Sequence, residues 1–355
     1  MPRYAVLVHP STNRVYADAS VQLMRAELAV LNRSVLGGRL ADVGQCTLGG
    51  VPYLTFDAAE LDEAAIGSLS TLSALYALFE VSGELLRPVP VRPLARFDSD
   101  LLSILRYTGK TNEHFTRLLL NVTVLASAAA PEMTTRRLRV LDPLCGRGTT
   151  LNQALMYGYH AAGIDLDGKD IDAYAAFLRS WLTGKRLKHR TESGPVRRHG
   201  KTLGRRFHAV IGETKQQYQA GDTVEVTAVH ADTRSAGDFF RPGTFDVVVT
   251  DAPYGVQHGS RTGRLARGPL ELLDGALPAW GRLLVPGGAL GISWNTLVAP
   301  RVEVVGLLDR HGFEVVDFGP EVDFTHRVAQ AVVRDLVVAR QIGGGPPVTA
   351  GRDPG

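Results

Sequence analysis

Short apolar runs alternate with longer amphipathic stretches through most of the chain after residue 97. Apolar runs that end in an acidic or polar residue predict strands, and apolar residues at helical spacing predict helices. The main predicted strands are 138–142, 160–165, 224–230, 246–251 and 289–294, and the main predicted helices are 115–129, 169–181, 270–284 and 301–311. The alternation predicts an α/β fold with a doubly wound, Rossmann-like sheet whose strand ends share one edge.

Three further segments complete this domain. Pro286-Gly287-Gly288 predicts a turn, and the apolar runs 313–317 and 331–339 predict a closing antiparallel hairpin. We expect the domain to span residues 97–340. The Gly- and Pro-rich residues 341–355 predict a disordered tail.

The first 86 residues have a different pattern, which predicts a smaller N-terminal α+β domain. Its predicted elements are strands 4–8, 41–48, 52–56 and 85–89 and helices 20–33 and 69–79. Residues 87–96 are rich in proline and predict a stiff linker. The domain carries no chemical motif.

Composition limits the possible classes of protein. A chain of 355 residues with 45% apolar content can bury two cores. It has only two cysteines, Cys46 and Cys145, which favours a reducing, cytoplasmic environment over a disulfide framework. No metal-ligand spacing, signal-peptide pattern or long apolar run is visible, so we expect no metal site and no membrane insertion.

A glycine-containing loop follows the strand 138–142. It reads Asp142-Pro143-Leu144-Cys145-Gly146-Arg147-Gly148-Thr149, and a helix is predicted to start near Thr149. Glycines let a ligand approach the backbone closely, and a helix N-terminus offers free amides that would suit the carboxylate of S-adenosylmethionine. A dinucleotide fingerprint requires a third glycine where this chain has Leu151, so S-adenosylmethionine is favoured over NAD. Asp142 would reach the ammonium group of that cofactor.

Acids also end the next two strands. Asp165 lies about 20 residues beyond the glycine loop, a distance at which a ribose is usually bound. Asp167, two positions later, is better explained as a helix cap. Asp232 follows the strand 224–230 and either lies near the adenine amine or caps the next turn.

The strand 246–251 runs directly into Asp251-Ala252-Pro253-Tyr254. An exocyclic base amine is a poor nucleophile because its lone pair is delocalised into the ring. The Asp251 carboxylate and the Ala252 carbonyl could each accept one amine hydrogen, and Tyr254 could stack on the base. Pro253 keeps Ala252 extended, which directs that carbonyl. An ordinary turn is the alternative explanation.

These motifs together resemble the tRNA guanine-N2 methyltransferases that usually carry a THUMP domain. The resemblance covers about residues 95–340, and it depends on 142–150, 163–165 and 251–255. It implies a methyltransferase sheet, S-adenosylmethionine as cofactor and tRNA as substrate. Because the family has its substrate-binding module before the catalytic domain, the resemblance also implies that the N-terminal domain guides RNA. Ala252 departs from the usual Asn/Asp-Pro-Pro-Tyr/Phe motif, and no diagnostic THUMP string is present. Adenine-N6 DNA methyltransferases and protein glutamine methyltransferases share the motif order.

Charge points to a polyanionic partner. Residues 184–206 contain nine Lys or Arg and one Glu, a local charge of +8 in a chain of net charge +3. A mobile, solvated loop is the alternative, but nucleic acid is favoured. The candidate nucleic-acid contacts are Lys185, Arg186, Lys188, Arg190, Arg197, Arg198, Arg261 and Arg264.

The sequence therefore predicts methylation of an exocyclic amine of an RNA base from S-adenosylmethionine, with guanosine N2 in tRNA as the first expectation. A DNA adenine or cytosine amine is the nearest alternative substrate. A protein that binds cofactor and RNA without methylating is an alternative of another class. Methylation of a protein glutamine would not need the cationic segment.

Overall fold

The computed structural model describes residues 1–9, 14–103, 110–198, 200–253 and 268–342, without the side chains of 14–18. These residues form two units, a small antiparallel sheet with its helices and a large mixed sheet with helices on both faces. The α/β fold class predicted from the sequence is confirmed, including the smaller N-terminal unit. Residues 254–267, with Tyr254, Arg261 and Arg264, lie outside the described ranges, as do 343–355, most of the predicted tail.

The small sheet has the order β2-β3-β1-β4-β5, and each neighbouring pair is antiparallel. Its elements are β1 (Arg3–Val8), α1 (Arg14–Ser34), β2 (Ala41–Leu48), β3 (Val51–Asp57), α2 (Glu63–Leu69), β4 (Leu75–Ser82) and β5 (Leu85–Val89). The apolar stripe of α1, with Leu23, Leu28 and Leu31, is buried in the core. Since β5 ends at Val89, the first three residues of the predicted linker belong to this sheet.

The predicted helix 69–79 is wrong. Its apolar residues recur at helical spacing, but α2 ends at Leu69 and β4 begins at Leu75. β4 pairs with β1 on one side and with β5 on the other, so its backbone groups are satisfied in the sheet. Tertiary pairing thus outweighs the local periodicity.

The described part of the large sheet contains ten strands. They are β6 (Arg139–Asp142), β7 (His160–Asp165), β8 (His189–Arg198), β9 (Lys201–Ile211), β10 (Val224–His230), β11 (Phe245–Asp251), β12 (Leu284–Asn295), β13 (Phe313–Val315), β14 (His326–Ala329) and β15 (Val332–Gln341). The helices are α3 (Asp100–Ser103), α4 (Glu113–Ala126), α5 (Thr149–Met156), α6 (Gly168–Gly184), α7 (Lys215–Gln219), α8 (Pro269–Leu283) and α9 (Arg301–Arg310). Short 3-10 turns lie at Ala130–Glu132 and Thr233–Asp238.

Five central strands, in the order β10-β7-β6-β11-β12, are parallel. At one edge β15 is antiparallel to β12 and to β13, which forms the predicted closing pair. Alternate residues of the parallel strands enter two cores: Val247 and Val249 pack on the side of α4, and Val248 packs on the side of α8. The parallel strands are therefore apolar on both faces, as a doubly wound sheet requires.

The cationic segment is a hairpin and not a loop. β8 and β9 pair with each other, and β9 pairs with β10, so the hairpin extends the sheet at the edge opposite to β13. The predicted turn at Pro286-Gly287-Gly288 is also wrong, because these residues lie inside β12. Gly287 has φ +76°, and its carbonyl oxygen accepts a hydrogen bond from Ala128 N at 2.8 Å. The strand is continuous through this local kink.

A buried polar network joins the two units. The carboxylate of Glu27, on α1, accepts hydrogen bonds from Ser73 N at 2.9 Å and from Asn121 Nδ2, on α4, at 2.6 Å. The Tyr157 hydroxyl donates to Asn121 Oδ1 at 2.8 Å, and Arg117 Nε donates to that hydroxyl at 2.9 Å. Burial raises the pKa of Glu27. These bonds satisfy polar groups that would otherwise be buried without partners.

Candidate active site

The candidate site lies at the carboxyl ends of β6, β7 and β11, which are neighbours in the sheet. Asp142 ends β6, Asp165 ends β7 and Asp251 ends β11. Thr250 Oγ1 donates a hydrogen bond of 3.0 Å to Asp142 Oδ1, so the carboxyl end of β11 contacts the start of the glycine loop. The proposed cofactor loop and the proposed acceptor motif therefore share one edge of the sheet, where open α/β sheets bind ligands.

The two loop glycines serve different purposes. Gly146 has φ +48°, and a Cβ added there would meet no atom within 4 Å. Gly148, the N-cap of α5, has φ +81°, and a Cβ there would lie 2.4 Å from the ring of Tyr174. Gly148 is therefore required by packing, whereas Gly146 leaves open space above the backbone that a ligand could fill.

The other loop residues build the turn. Pro143 is buried, Leu144 is half-buried, and Leu144 N donates to Asp142 Oδ1 at 3.1 Å. The Cys145 side chain is buried under Gly163, where an added Cβ would lie 2.6 Å from Sγ. Burial raises the pKa of Cys145, which opposes a role as a thiolate nucleophile. Thr149 is the first residue of α5, as predicted.

Asp142 is a buried acid that lacks a cationic partner among the described residues. Burial raises its pKa to about 7, and hydrogen bonds from Thr150, Leu144 and Thr250 lower it only in part. A buried carboxylate of this kind would gain from a cation brought by a ligand. The residues present thus fit the ammonium group of S-adenosylmethionine.

Asp165, the last residue of β7, stabilises the glycine loop through its carboxylate. Its Oδ2 accepts from Gly146 N at 2.8 Å and its Oδ1 accepts from Asp167 N at 2.8 Å. A carboxylate has about four acceptor positions, so ribose hydroxyls could still donate to it. Burial raises the pKa of Asp165. Leu166 follows with 71% of its surface exposed, an apolar group that the sequence pattern did not single out.

Two helix-cap predictions have clear outcomes. Asp167 is the N-cap of α6 and accepts from Lys169 N, as predicted. Asp232 also acts as a cap, because it accepts from Arg234 N at 3.0 Å. The Asp232 carboxylate also forms a salt bridge with the Arg234 side chain. Of the two alternatives left open for Asp232, capping is the one in the structure, and a contact with adenine stays a prediction.

Asp251 is held by side chains from elsewhere in the chain. Thr111 Oγ1 donates to its Oδ2 at 2.6 Å, and the Ser293 hydroxyl donates to its Oδ1. The guanidinium of Arg334 lies 3.6 Å from Oδ2. Local sequence patterns could not find these three contacts; the only hint was that Ser293 interrupts an apolar run next to the predicted strand end.

Ala252 is buried, and its N–H donates to Ser293 O at 2.8 Å. No described residue donates a hydrogen bond to the Ala252 carbonyl. Pro253 is exposed. The backbone is thus fixed from one side by β12, while the carbonyl keeps its acceptor capacity, as the amine chemistry would require.

The nine cations of residues 184–206 fall into two groups. Four form ion pairs: Lys185 with Asp98 and Asp100, Arg190 with Glu192, Arg198 with Asp238, and Arg205 with Asp172. Within the described ranges the other five form no ion pair: Arg186, Lys188, Arg197, Lys201 and Arg206. The first group ties the hairpin to the domain or balances a neighbour, and the second leaves five positive charges without an acidic partner among the described residues.

Two features are absent from the described part of the chain. No helix there combines the length and apolar character needed to cross a bilayer. No cluster of three or more His, Cys, Asp or Glu side chains there could hold a metal ion.

No protein-family model matches the chain, and no curated protein matches its sequence. Solved methyltransferase structures do resemble it. A TehB-like S-adenosylmethionine-dependent methyltransferase from Corynebacterium glutamicum is 18% identical, with a TM-score of 0.32 over 59% of this chain and 83% of its own. An arsenic(III) S-adenosylmethionine methyltransferase from Chlamydomonas reinhardtii is 12% identical, with a TM-score of 0.35 over 58% and 64%.

A third solved structure is a 16S rRNA guanine-N2 methyltransferase of T. thermophilus in complex with S-adenosylmethionine and guanosine. It is 16% identical, with a TM-score of 0.36 over 85% of this chain and 51% of its own.

Proposed function

We propose that the chain is an S-adenosylmethionine-dependent methyltransferase that acts on an exocyclic amine of an RNA base, with guanosine N2 in tRNA as the first substrate to test. One observation supports this above the others, the 3.0 Å hydrogen bond between Thr250 and Asp142. It joins the acceptor strand to the cofactor loop one residue before Asp251. A methyl donor and an amine acceptor at those two motifs would share one pocket.

The chain's own residues would hold the cofactor from several sides. Asp142 would bind the ammonium, the open backbone at Gly146 and the first amides of α5 would bind the carboxylate, and Asp165 would bind the ribose. Leu166 would cover an apolar face of the adenine. When bound, S-adenosylmethionine supplies an electrophilic methyl group.

Asp251 and the Ala252 carbonyl would orient the amine. Two acceptors that take its hydrogens localise the lone pair on nitrogen and aim it, without any covalent bond to the protein. Both acceptors are fixed before substrate arrives, Asp251 by Thr111 and Ser293 and Ala252 by its bond to β12. Fixed acceptors need no reorganisation during the reaction. Tyr254, outside the described residues, keeps its predicted stacking role.

The hairpin β8–β9 supports nucleic acid as the substrate class. Among the described residues it presents five cations that form no ion pair, and three of them, Arg197, Lys201 and Arg206, lie toward the end of the hairpin that adjoins the carboxyl end of β10. Unpaired Lys and Arg bind phosphate by releasing counterions, so affinity should fall steeply with salt. A protein glutamine substrate would not need them.

Incubation of the protein with labelled S-adenosylmethionine and with tRNA, rRNA or DNA, followed by nucleoside mass analysis, tests the proposal. We expect N2-methylguanosine from tRNA. Asp251→Ala should lower turnover by about a hundredfold or more while cofactor affinity by calorimetry stays near wild type, because the carboxylate acts on the acceptor. Asp309→Ala, an exposed acid on α9, is the matched control.

The outcomes separate the alternatives. A methylated adenine or cytosine in DNA would show that the substrate is DNA and not RNA. Cofactor and RNA binding without transfer would make the chain a non-catalytic binder, and loss of cofactor binding in a folded Asp251→Ala protein would contradict the division of roles.

A further inference from the structure

The carboxylate of Asp251 is reached from three separate elements of the fold. Thr111 precedes α4, Ser293 lies on β12 and Arg334 lies on β15. Thr111 and Ser293 donate to different oxygens, which fixes the plane of the carboxylate, and the Arg334 guanidinium lies 3.6 Å from Oδ2. An acceptor that only had to bind solvent would not need such support.

Arg334 is an unusual residue at this position because its side chain is only 4% exposed. It sits in register with Asn295 on β12 and with His326 on β14. Its guanidinium lies 4.3 Å from the ring centre of Phe115, which is fully buried on α4. Stacking on an aromatic face holds the plane of the guanidinium. A buried arginine destabilises the fold unless it is paired, and Arg334 forms a salt bridge with Asp251.

We propose that Arg334 is a positioning residue for the transfer step, acting together with Ser293 and Thr111 as a clamp on Asp251. The inference rests on the proposed function. An aspartate at a strand end can rotate about two side-chain bonds, and the clamp removes that freedom. The amine then meets an acceptor already in the reactive orientation, and a misplacement of about 1 Å would cost about a hundredfold in rate.

Variants of the clamp test the inference. Arg334→Met removes the charge and keeps the length, and it should lower kcat about ten- to a hundredfold with little change in KM or in cofactor affinity. Arg334→Lys should restore part of the loss. Ser293→Ala and Thr111→Val each remove one hydroxyl donor and should lower kcat by smaller factors, which keeps the inference testable if Arg334→Met does not fold.

The matched control is Arg301 on α9, whose acidic partner lies on the same strand as Arg334. Arg301 forms a 2.6 Å ion pair with Asp335, which is 5% exposed and is the neighbour of Arg334 on the opposite face of β15. Arg301→Met breaks an ion pair with a buried acid on the other face of β15, although Arg301 itself is 50% exposed, so it should lower the melting temperature and leave kcat unchanged.

A double-mutant cycle separates positioning from general stability. In an Asp251→Asn background, Arg334→Met should lower kcat by a much smaller factor than in the wild type, because the carboxylate that Arg334 positions is absent. The clamp alone would be overturned if Arg334→Met lowered kcat by the same factor in both backgrounds. It would also be overturned if the wild type were active and the clamp variants had the same kcat. A wild type that methylates no nucleic acid would overturn the proposed function and the clamp with it.

Discussion

Asp142 gives the site a pH dependence that can be worked out from the structure. Burial raises the pKa of this carboxyl from 3.8 to about 7. The folded state therefore binds the proton of Asp142 more tightly than the unfolded state does. The resulting contribution to the free energy of unfolding is complete below about pH 4 and is lost as pH rises through about 7. Between about pH 5 and about pH 8 the loss amounts to about 3 kcal/mol, at 1.4 kcal/mol per pKa unit.

Asp142→Asn removes that titration while the amide oxygen can still accept from Leu144 and Thr250. We expect the free energy of unfolding of the variant, relative to wild type, to rise by about 3 kcal/mol between about pH 5 and about pH 8. Urea unfolding of both proteins at each pH, without cofactor, measures the difference. At the higher pH the variant should also bind S-adenosylmethionine more weakly, because the charge that would meet its ammonium is gone. A difference in unfolding free energy that stays constant with pH would refute the buried-acid argument.

Further predictions concern the loop and the hairpin. Gly146→Ala should weaken cofactor binding at least tenfold and cost about 1 kcal/mol of stability for its positive φ, whereas Gly148→Ala should cost about 2 kcal/mol or more because its Cβ would strike Tyr174. Calorimetry and thermal melting of the two variants compare these effects; equal losses of stability would contradict the assignment. Changing four cations without recorded ion pairs to Gln should flatten the dependence of log K on log salt by about 3 to 4 for RNA, measured by fluorescence anisotropy. These are Lys188, Arg197, Lys201 and Arg206. Neutralising the ion-paired Lys185, Arg198 and Arg205 is the control, and an equal change in slope there would argue against the distinction.

The sequence was most informative where local pattern and tertiary structure agree. The strands β7 and β10 were predicted with their observed bounds, because apolar runs bounded by polar residues are what a buried parallel strand requires. The hairpin β8–β9 was missed because it lies at the edge of the sheet and both of its faces are largely exposed. Charged residues therefore occupy positions where a half-buried strand would show alternating apolar residues. Periodicity also failed at β4, where the leucine spacing matches a helix equally well.

Some residues of the candidate site could likewise be predicted from the sequence, and others could not. Asp142, Asp165 and Asp251 could be found because each ends a predicted strand, and the parallel sheet brings such ends together. The clamp could not be found, because Thr111 is 140 residues from Asp251 and meets it only through the packing of α4 against the sheet. Arg334 gave no signal either, since an isolated arginine in a strand is usually an exposed residue.

The shared network around Glu27 has a practical consequence for how the protein can be divided. Asn121 lies on α4, the helix whose N-cap, Asn112, adjoins Thr111. Cutting the chain at the proline-rich connection would strip α1 from that helix and expose Asn121 and its apolar neighbours to water. The N-terminal unit is therefore an integral part of the core of the larger unit, and neither piece should be expected to behave as an exchangeable cassette.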